Sequence, residues 1–328
     1  MNWPLSIRDS RVWVGGLILV MALVPVFTVN NYLLSFGFLT LMYASLSVGW
    51  NIMGGYAEYQ SFGHAAFVGL GGYTTAVLLS WQGLSPLYTA VLGGVLAGVV
   101  AVIIGALVLR LRGAYFSVVT LLAALILQLV IRLLPMLNAT AGIFLSAPAE
   151  SVTLSSVILY YAMLAVVTAT ILIARWIERS RYGVGLFAIR EDEEVASVQG
   201  INTTYLKIFA FTISAGLAGV AGGLYSWYIG YVVPEPMFSL NISILVVLMS
   251  LVGGTDTWVG PFVGALLIRT LQEVLTLLIS GPVANTVLGL VLIGVILYLP
   301  SGIVPLVRSR LRQSSFDPFS EPKPKEAN

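Results

Sequence analysis

The chain reads as an all-α integral membrane protein: a polytopic helical bundle of about ten transmembrane helices, both termini cytoplasmic. Three observations predict it. Hydrophobic residues make up 58% of the sequence and charged residues 9%, with a mean hydropathy of +0.96, whereas a soluble domain covers its surface with about 25% charged residues. Apolar runs long enough to cross a 30 Å hydrocarbon core recur along the chain. Finally, the Lys and Arg residues outside those runs fall on alternate connections, as the positive-inside rule requires.

In order, residues 1–11 form a short tail carrying Arg8 and Arg11, and residues 12–307 form the membrane domain. Val12 to Val29 is the first span, and no small-residue cleavage site follows it as after a signal peptide. Asn30 and Asn31 break it, and Tyr32 to Met53 is the second. A glycine-rich passage from Gly54 leads into a third segment ending near Ser80. Gly63, Ala66, Gly69 or Gly72, and Ala76 recur there about one helical turn apart, spacing that lets a second helix backbone approach. Pro86–Leu109, Tyr115–Pro135 and Val152–Ala174 follow. Beyond a charged stretch come Leu206–Gly230, Leu240–Val252, Pro261–Ile279 and Val283–Leu299. Leu240–Val252 is short, and Gly253 and Gly254 interrupt it, as expected of a broken helix. Residues 308–328 read as a basic and then disordered tail.

Ten spans place Arg8, Arg11, Arg110, Arg112, the stretch 175–207 and the C-terminal basic residues on one side. The opposite connections, near Asn30, Trp81–Ser85, Met136–Ser151, Tyr231–Ser239 and Ser280–Pro282, hold no Lys or Arg. That assigns the basic side to the cytoplasm.

The stretch Arg175–Lys207 is the main polar interruption. Asp192, Glu193 and Glu194 precede Val195–Gln199 and then Gly200. Acids oppose the partial positive charge of a helix N-terminus and glycine accepts the left-handed turn that ends one, so a stub helix of about two turns is expected near Asp192–Gln199. On charge pattern alone it is a solvated connector.

Several function classes are excluded or disfavoured. There is no cysteine and one histidine, so no thiolate metal site, disulfide framework or multi-histidine centre can be assembled. Neither a metal nor a catalytic site is expected, and a net charge of +2 with scattered basic residues gives no nucleic-acid surface. No G-x-x-x-x-G-K-[ST] occurs, so ATP phosphates have no cradle in this chain.

Within the spans, His64 beside Gly63 and Ser61 is a candidate for proton or substrate handling, though a packing role is favoured. Gly69 belongs to the same candidate translocation or packing set. Arg269 and Glu273 stand four apart on one helix face and pair, with cavity-facing and packing roles both open. Gln128 and Arg132 form a similar pair with a structural role favoured, and Glu58 and Asp256 lie in turns as solvated or partner-contacting groups.

The order Glu194, Val195, Ala196, three residues, Gly200 resembles the E-A-A-x3-G signature by which bacterial ABC importer permeases dock into their ATPases. The likeness extends over nearly the whole chain. Gly63, His64, Ala65, Ala66, Phe67, Gly69, Gly71 and Tyr73 match one block, and Arg110, Arg112, Gly113, Tyr115 and Phe116 a second. Gly185, Ala188, Ile189, Arg190, Glu191, Asp192, Ala196, Gly200 and Lys207 match a third, and Gly253, Gly254, Gly260, Pro261 and Gly264 a fourth. Together they resemble the permease subunits of branched-chain amino-acid ABC importers (LivM type). The segments NATAGIF, after Pro135, and GGTDTW depart from the family pattern.

That resemblance implies a coupling loop at 175–207, with Arg190, Glu191, Asp192, Glu193, Glu194, Ala196 and Gly200 facing an ATPase. It also implies two ATPase subunits that bind the ATP, a heterodimer with a second homologous permease subunit, an extracytoplasmic substrate-binding protein, and a bacterial inner-membrane location among lipid. The implied cargo is branched-chain amino acids, with urea, short amides or other amino acids as alternatives within the family. An ATP-independent secondary transporter is the alternative outside it.

Overall fold

The computed structural model describes residues 16, 18, 20–25, 30–135, 142–145, 152–279, 281–298 and 302–307. The expected span Val12–Val29, the departing segment after Pro135 and the C-terminal tail lie wholly or partly outside them. Among the described residues the long elements are α1 (Asn31–Gly54), α2 (His64–Gln82), α3 (Pro86–Val108), α4 (Ala114–Leu133) and α5 (Val152–Arg179). Shorter α6 (Arg181–Glu191) and α7 (Glu193–Val198) follow, then α8 (Thr203–Ile229), α9 (Pro234–Met237), α10 (Leu240–Gly253), α11 (Val259–Leu278) and α12 (Gly281–Tyr298). The described β structure is one small antiparallel ribbon, β1 (Ile143–Phe144) against β2 (Tyr231–Val232), with Ile143 opposite Val232.

Seven helices among the described residues are long and apolar enough to cross a membrane: Asn31–Gly54, Pro86–Val108, Ala114–Leu133, Ser155–Arg179, Thr203–Ile229, Pro234–Gly253 and Val259–Leu278. The protein is an all-α, multi-pass membrane protein. Two further expected spans are helical, as α2 and α12, but are not among the seven. Gly69, Gly71, Gly72, Thr74, Thr75 and Ser80 dilute the hydropathy of α2, and most of its surface faces other helices rather than lipid. The broken helix expected near Leu240 gains length at its start, where α9 leads into α10 past Phe238 and Ser239, and α10 stops at Gly254 with φ +102°.

α8 is the hub, packing most extensively against α3 and α2 and also against α1. Glycine makes that contact possible. A Cβ on Gly71 would collide with the carbonyl of Gly219, one on Gly93 would sit 2.7 Å from the Gly71 carbonyl, and one on Gly94 would sit 2.8 Å from the Gly216 carbonyl. Close backbone approach gives helices in lipid the dispersion contact that water would otherwise drive by exclusion. Of the small residues expected to admit a neighbouring backbone, Gly72 faces α8, and Gly71, not among them, makes the tightest approach. Gly71 and Gly72 meet α8, whereas Gly69 lies against the ring of Phe238, and a Cβ on Gly63 would stand 2.9 Å from the Thr120 carbonyl.

Buried hydroxyls lace α1 to its neighbours. Ser45 and Thr170 share a 2.9 Å bond, and the Ser250 hydroxyl reaches the Ser47 carbonyl at 3.2 Å. Trp50 Nε1 donates to the Ser61 carbonyl at 2.8 Å, holding the α1–α2 connection against the end of α1. Bonds of this type average about 0.6 kcal/mol in membranes. Their value here is register.

Candidate functional site

The polar stretch is mostly helix, and it does not begin in solvent. α5 continues to Arg179, so Arg175 and Glu178 are buried. At the far end Lys207 lies inside α8 and is 3% exposed.

Between them, Asp192 ends α6 in extended backbone (φ −160°) and caps α7, its Oδ1 accepting from the amides of Glu194 at 2.8 Å and Val195 at 3.1 Å. The C-terminus of α7 closes with Gly200 at φ +85° and a bond from the Ile201 amide to the Ala196 carbonyl at 3.1 Å. The expected stub thus exists over Glu193–Val198, with Asp192 and Gln199 as its caps. Ala196 is its buried residue, and Val198 is 90% exposed.

Six residues are too few to hold a helix unaided. Side-chain tethers supply the remainder. Glu193 meets Lys207 Nζ at 2.7 Å, Tyr59 Oη at 2.5 Å and Arg112 Nε at 3.3 Å. Lys207 Nζ also donates to the Leu109 carbonyl at 2.9 Å and to Tyr59 Oη at 3.1 Å, so all three ammonium protons have acceptors. Arg112 pairs with the exposed Glu194 at 3.0 Å. Arg190 reaches Asp256 at 3.2 Å and the Gly55 carbonyl at 3.4 Å. Asp256, expected as a solvated or partner-contacting turn residue, is an exposed turn residue with a 59% exposed side chain, and it also bonds α6.

Burial opposes the charge on Glu193. The hydrogen bonds from Lys207 and Tyr59, with the Arg112 charge, outweigh it and hold the carboxyl below the ordinary glutamate value. Burial and then the Glu193 bond push the Tyr59 phenol upward, which keeps it a donor. The α6–α7 unit is therefore gripped by three connections, α1–α2, α3–α4 and α10–α11, and by the start of α8.

A second polar cluster joins α1 to α11. Arg269, 8% exposed, lies 3.4 Å from Glu273 and 2.9 Å from Gln272 Oε1, with the rings of Phe36 and Tyr43 each 5.9 Å from its Cζ. Tyr32 donates to the other Glu273 oxygen at 2.6 Å. The Nε of Arg269 is buried without a partner among the described residues.

Comparison with known proteins bears on this arrangement. A family model described as branched-chain amino acid transport system / permease component matches residues 32–299. The chain belongs to that family. This permease is 26% identical to the high-affinity branched-chain amino acid transport system permease protein LivM of Escherichia coli K12, over 90% of this chain and 75% of that one. Its likeness to LivM of Salmonella typhimurium is also 26%, over 91% and 76%. The autoinducer 2 import system permease protein LsrC of Yersinia enterocolitica is 28% identical over 56% of this chain and 54% of its own. No solved structure matches the permease.

His64 stands at the first position of α2, 1% exposed, its Nε2 2.7 Å from Ser214 Oγ. Ser214 gives its one proton to the Gly49 carbonyl at 2.7 Å, so it accepts from Nε2–H. Nδ1 is then a buried lone pair without a partner among the described residues. His64 thus bonds α2 to α8, whose Ser214 in turn bonds α1.

Arg132 of the permease forms its ion pair at 3.3 Å with Glu235 of α9, a residue that sequence reasoning did not consider. Sequence reasoning also missed Tyr59, the pairing of Lys207, and the Tyr32 and Gln272 partners of the Arg269 cluster. One signal was available: Lys207 is the one lysine before position 323, standing at the head of an apolar helix. A buried ammonium there requires acceptors.

Proposed function

We propose that this chain is the transmembrane permease subunit of an ATP-driven importer that moves branched-chain amino acids into a bacterial cell across the inner membrane. In this reading residues 12–307 form the permease domain with about ten spans, and both tails lie in the cytoplasm. α7 is the coupling helix. It seats in an ATPase groove through Val198 and the exposed Glu191, Asp192 and Glu194, and Glu193, Arg190 and Ala196 pass its displacement to the bundle. ATP is bound by two partner subunits. A second related permease completes the pathway, and an extracytoplasmic binding protein delivers the cargo. Alternating access then requires two arrangements of the bundle.

One observation carries the reading. A capped, six-residue helix presents an almost fully exposed valine while its root is tied to three inter-helix connections and α8. A solvated linker has no need of either property. The Arg269–Glu273 cluster is the proposed contact for the charged ends of the passing solute. Its aromatic walls, and an Nε without a partner among the described residues, support that role.

The test is co-purification. Val198→Asp and Glu194→Arg, inserted normally in the membrane, are expected to lose the ATPase that accompanies the parent protein. Undiminished ATPase capture by both variants would sink the assignment of α7. A second reading keeps the machine and changes the cargo: the match to LsrC favours a small polar solute. The ligand retained by the cognate binding protein separates the two readings.

A further inference from the structure

A cavity of about 520 Å³ opens beside the coupling region, where α3 ends and α8 begins. Arg110, Arg112 and Lys207 contribute positive charge to its lining, Glu193 one negative charge, and Thr203 and Thr204 hydroxyls. Its position relative to the bilayer follows from the span ends alone. Arg110 and Arg112 come directly after the spanning helix Pro86–Val108, and Thr203 and Thr204 open the spanning helix Thr203–Ile229. The cavity therefore lies at the boundary between hydrocarbon and headgroups.

Its cations are not equally engaged. Lys207 is fully bonded and Arg112 is shared between two glutamates. Arg110 is exposed and has no ion-pair partner among the described residues. On the face of α3 that carries the lining residue Ala106, Val102 is 42%, Val99 54% and Val95 60% exposed, an apolar stripe running down from the cavity. An anionic head above an apolar track is the outline of a phospholipid.

We propose that this cavity binds the phosphate of an anionic phospholipid headgroup, with Arg110 as the principal contact and the acyl chains lying along α3. Basic pockets between spanning helices recognise such headgroups. The hydroxyls of Thr203 and Thr204 and the positive end of the 27-residue α8 add neutral donors and a favourable dipole. The bound lipid would touch Lys207 and Arg112 and so stiffen the tether that holds α7. Phosphate is the shared chemistry, and it has two sources, a lipid or a free anion. The apolar stripe favours the lipid.

The experiment uses the full-length protein purified in neutral detergent, with retained lipid read by native mass spectrometry. Phosphatidylglycerol, phosphatidylcholine, and inorganic phosphate are supplied in separate arms. Phosphatidylglycerol is expected to be retained in preference to phosphatidylcholine. Arg110→Gln is expected to reduce phosphatidylglycerol retention about fivefold while leaving phosphatidylcholine unchanged, the effect of one cation at an anionic surface. An unchanged melting temperature in lipid-free detergent certifies the fold of that variant. Equal retention of the two lipids, or retention indifferent to Arg110→Gln, overturns the proposal. Displacement of phosphatidylglycerol by millimolar inorganic phosphate overturns the lipid as occupant. The proposal does not depend on ATPase coupling: Val198→Asp is expected to bind phosphatidylglycerol like the parent.

Discussion

Lys207–Glu193 and Arg269–Glu273 both pair a buried cation with a glutamate, and they are completed in opposite ways. Lys207 has an acceptor for every proton, and its carboxylate is held by two more donors. Arg269 keeps a 3.4 Å contact to Glu273 and a buried Nε without a partner among the described residues. A closed network fixes geometry because every exchange of partners loses a bond. An open one retains donor capacity that a visiting group can use. The first suits the root of a coupling helix and the second suits a path through which something passes.

The comparison is broken most directly at Glu193. Glu193→Ala leaves the Lys207 ammonium buried beside one carbonyl and one phenol, and is expected to destabilise the protein by about 3 kcal/mol. Thermal unfolding in detergent reads it, and a loss below 1 kcal/mol would mean that the network is not closed. Glu193→Gln combined with Lys207→Met, which removes both charges, is expected to recover most of that loss.

Arg269→Lys sharpens the other side. The charge stays while the planar fork is lost, so the expected stability change is about 1 kcal/mol, within the range for an ordinary substitution. Uptake by the reconstituted importer is expected to fall at least about tenfold, roughly 1.4 kcal/mol of recognition. Uptake equal to that of the parent would reduce the cluster to packing.

Acidification should test the Glu193 network again. Because the folded-state pKa of Glu193 lies below its ordinary value of 4.5, its contribution is complete above that value and is lost as pH falls through the lower, folded one. The acid limb of the stability curve is thus expected to flatten in Glu193→Gln. An identical limb in variant and parent would remove Glu193 from the titration. The smallest effect belongs to Arg112→Gln. Its side chain is 55% exposed, and a solvated pair contributes about 0.5 kcal/mol, which the same melts can measure.

Local features of the site were legible from sequence because local chemistry produces them. Asp192 and Gly200 announced both ends of α7, and the spacing of Arg269 and Glu273 announced their pairing. The partners that give these residues meaning were not legible. Tyr59, Arg112 and Asp256 lie far along the chain from Glu193 and Arg190, and topology alone brings them together. Burial at the ends of the polar stretch was not legible for a related reason. Arg175, Glu178 and Lys207 look solvated in a sequence, yet packing at the ends of α5 and α8 buries them. Likewise, small-residue spacing marked α2 as a contact helix, but which glycines meet α8 depended on the crossing of the two helices.

The glycine contact among α2, α3 and α8 has a mechanical corollary. Where side chains interlock, two helices can shift by exchanging rotamers, one notch at a time. Here main chain rests on main chain at Gly71, Gly93 and Gly219, and there are no rotamers to exchange. The three helices are therefore expected to move together. A change of shape in the bundle is then expected at its other joints, such as the one between α1 and α11, where the Arg269 Nε has no partner among the described residues.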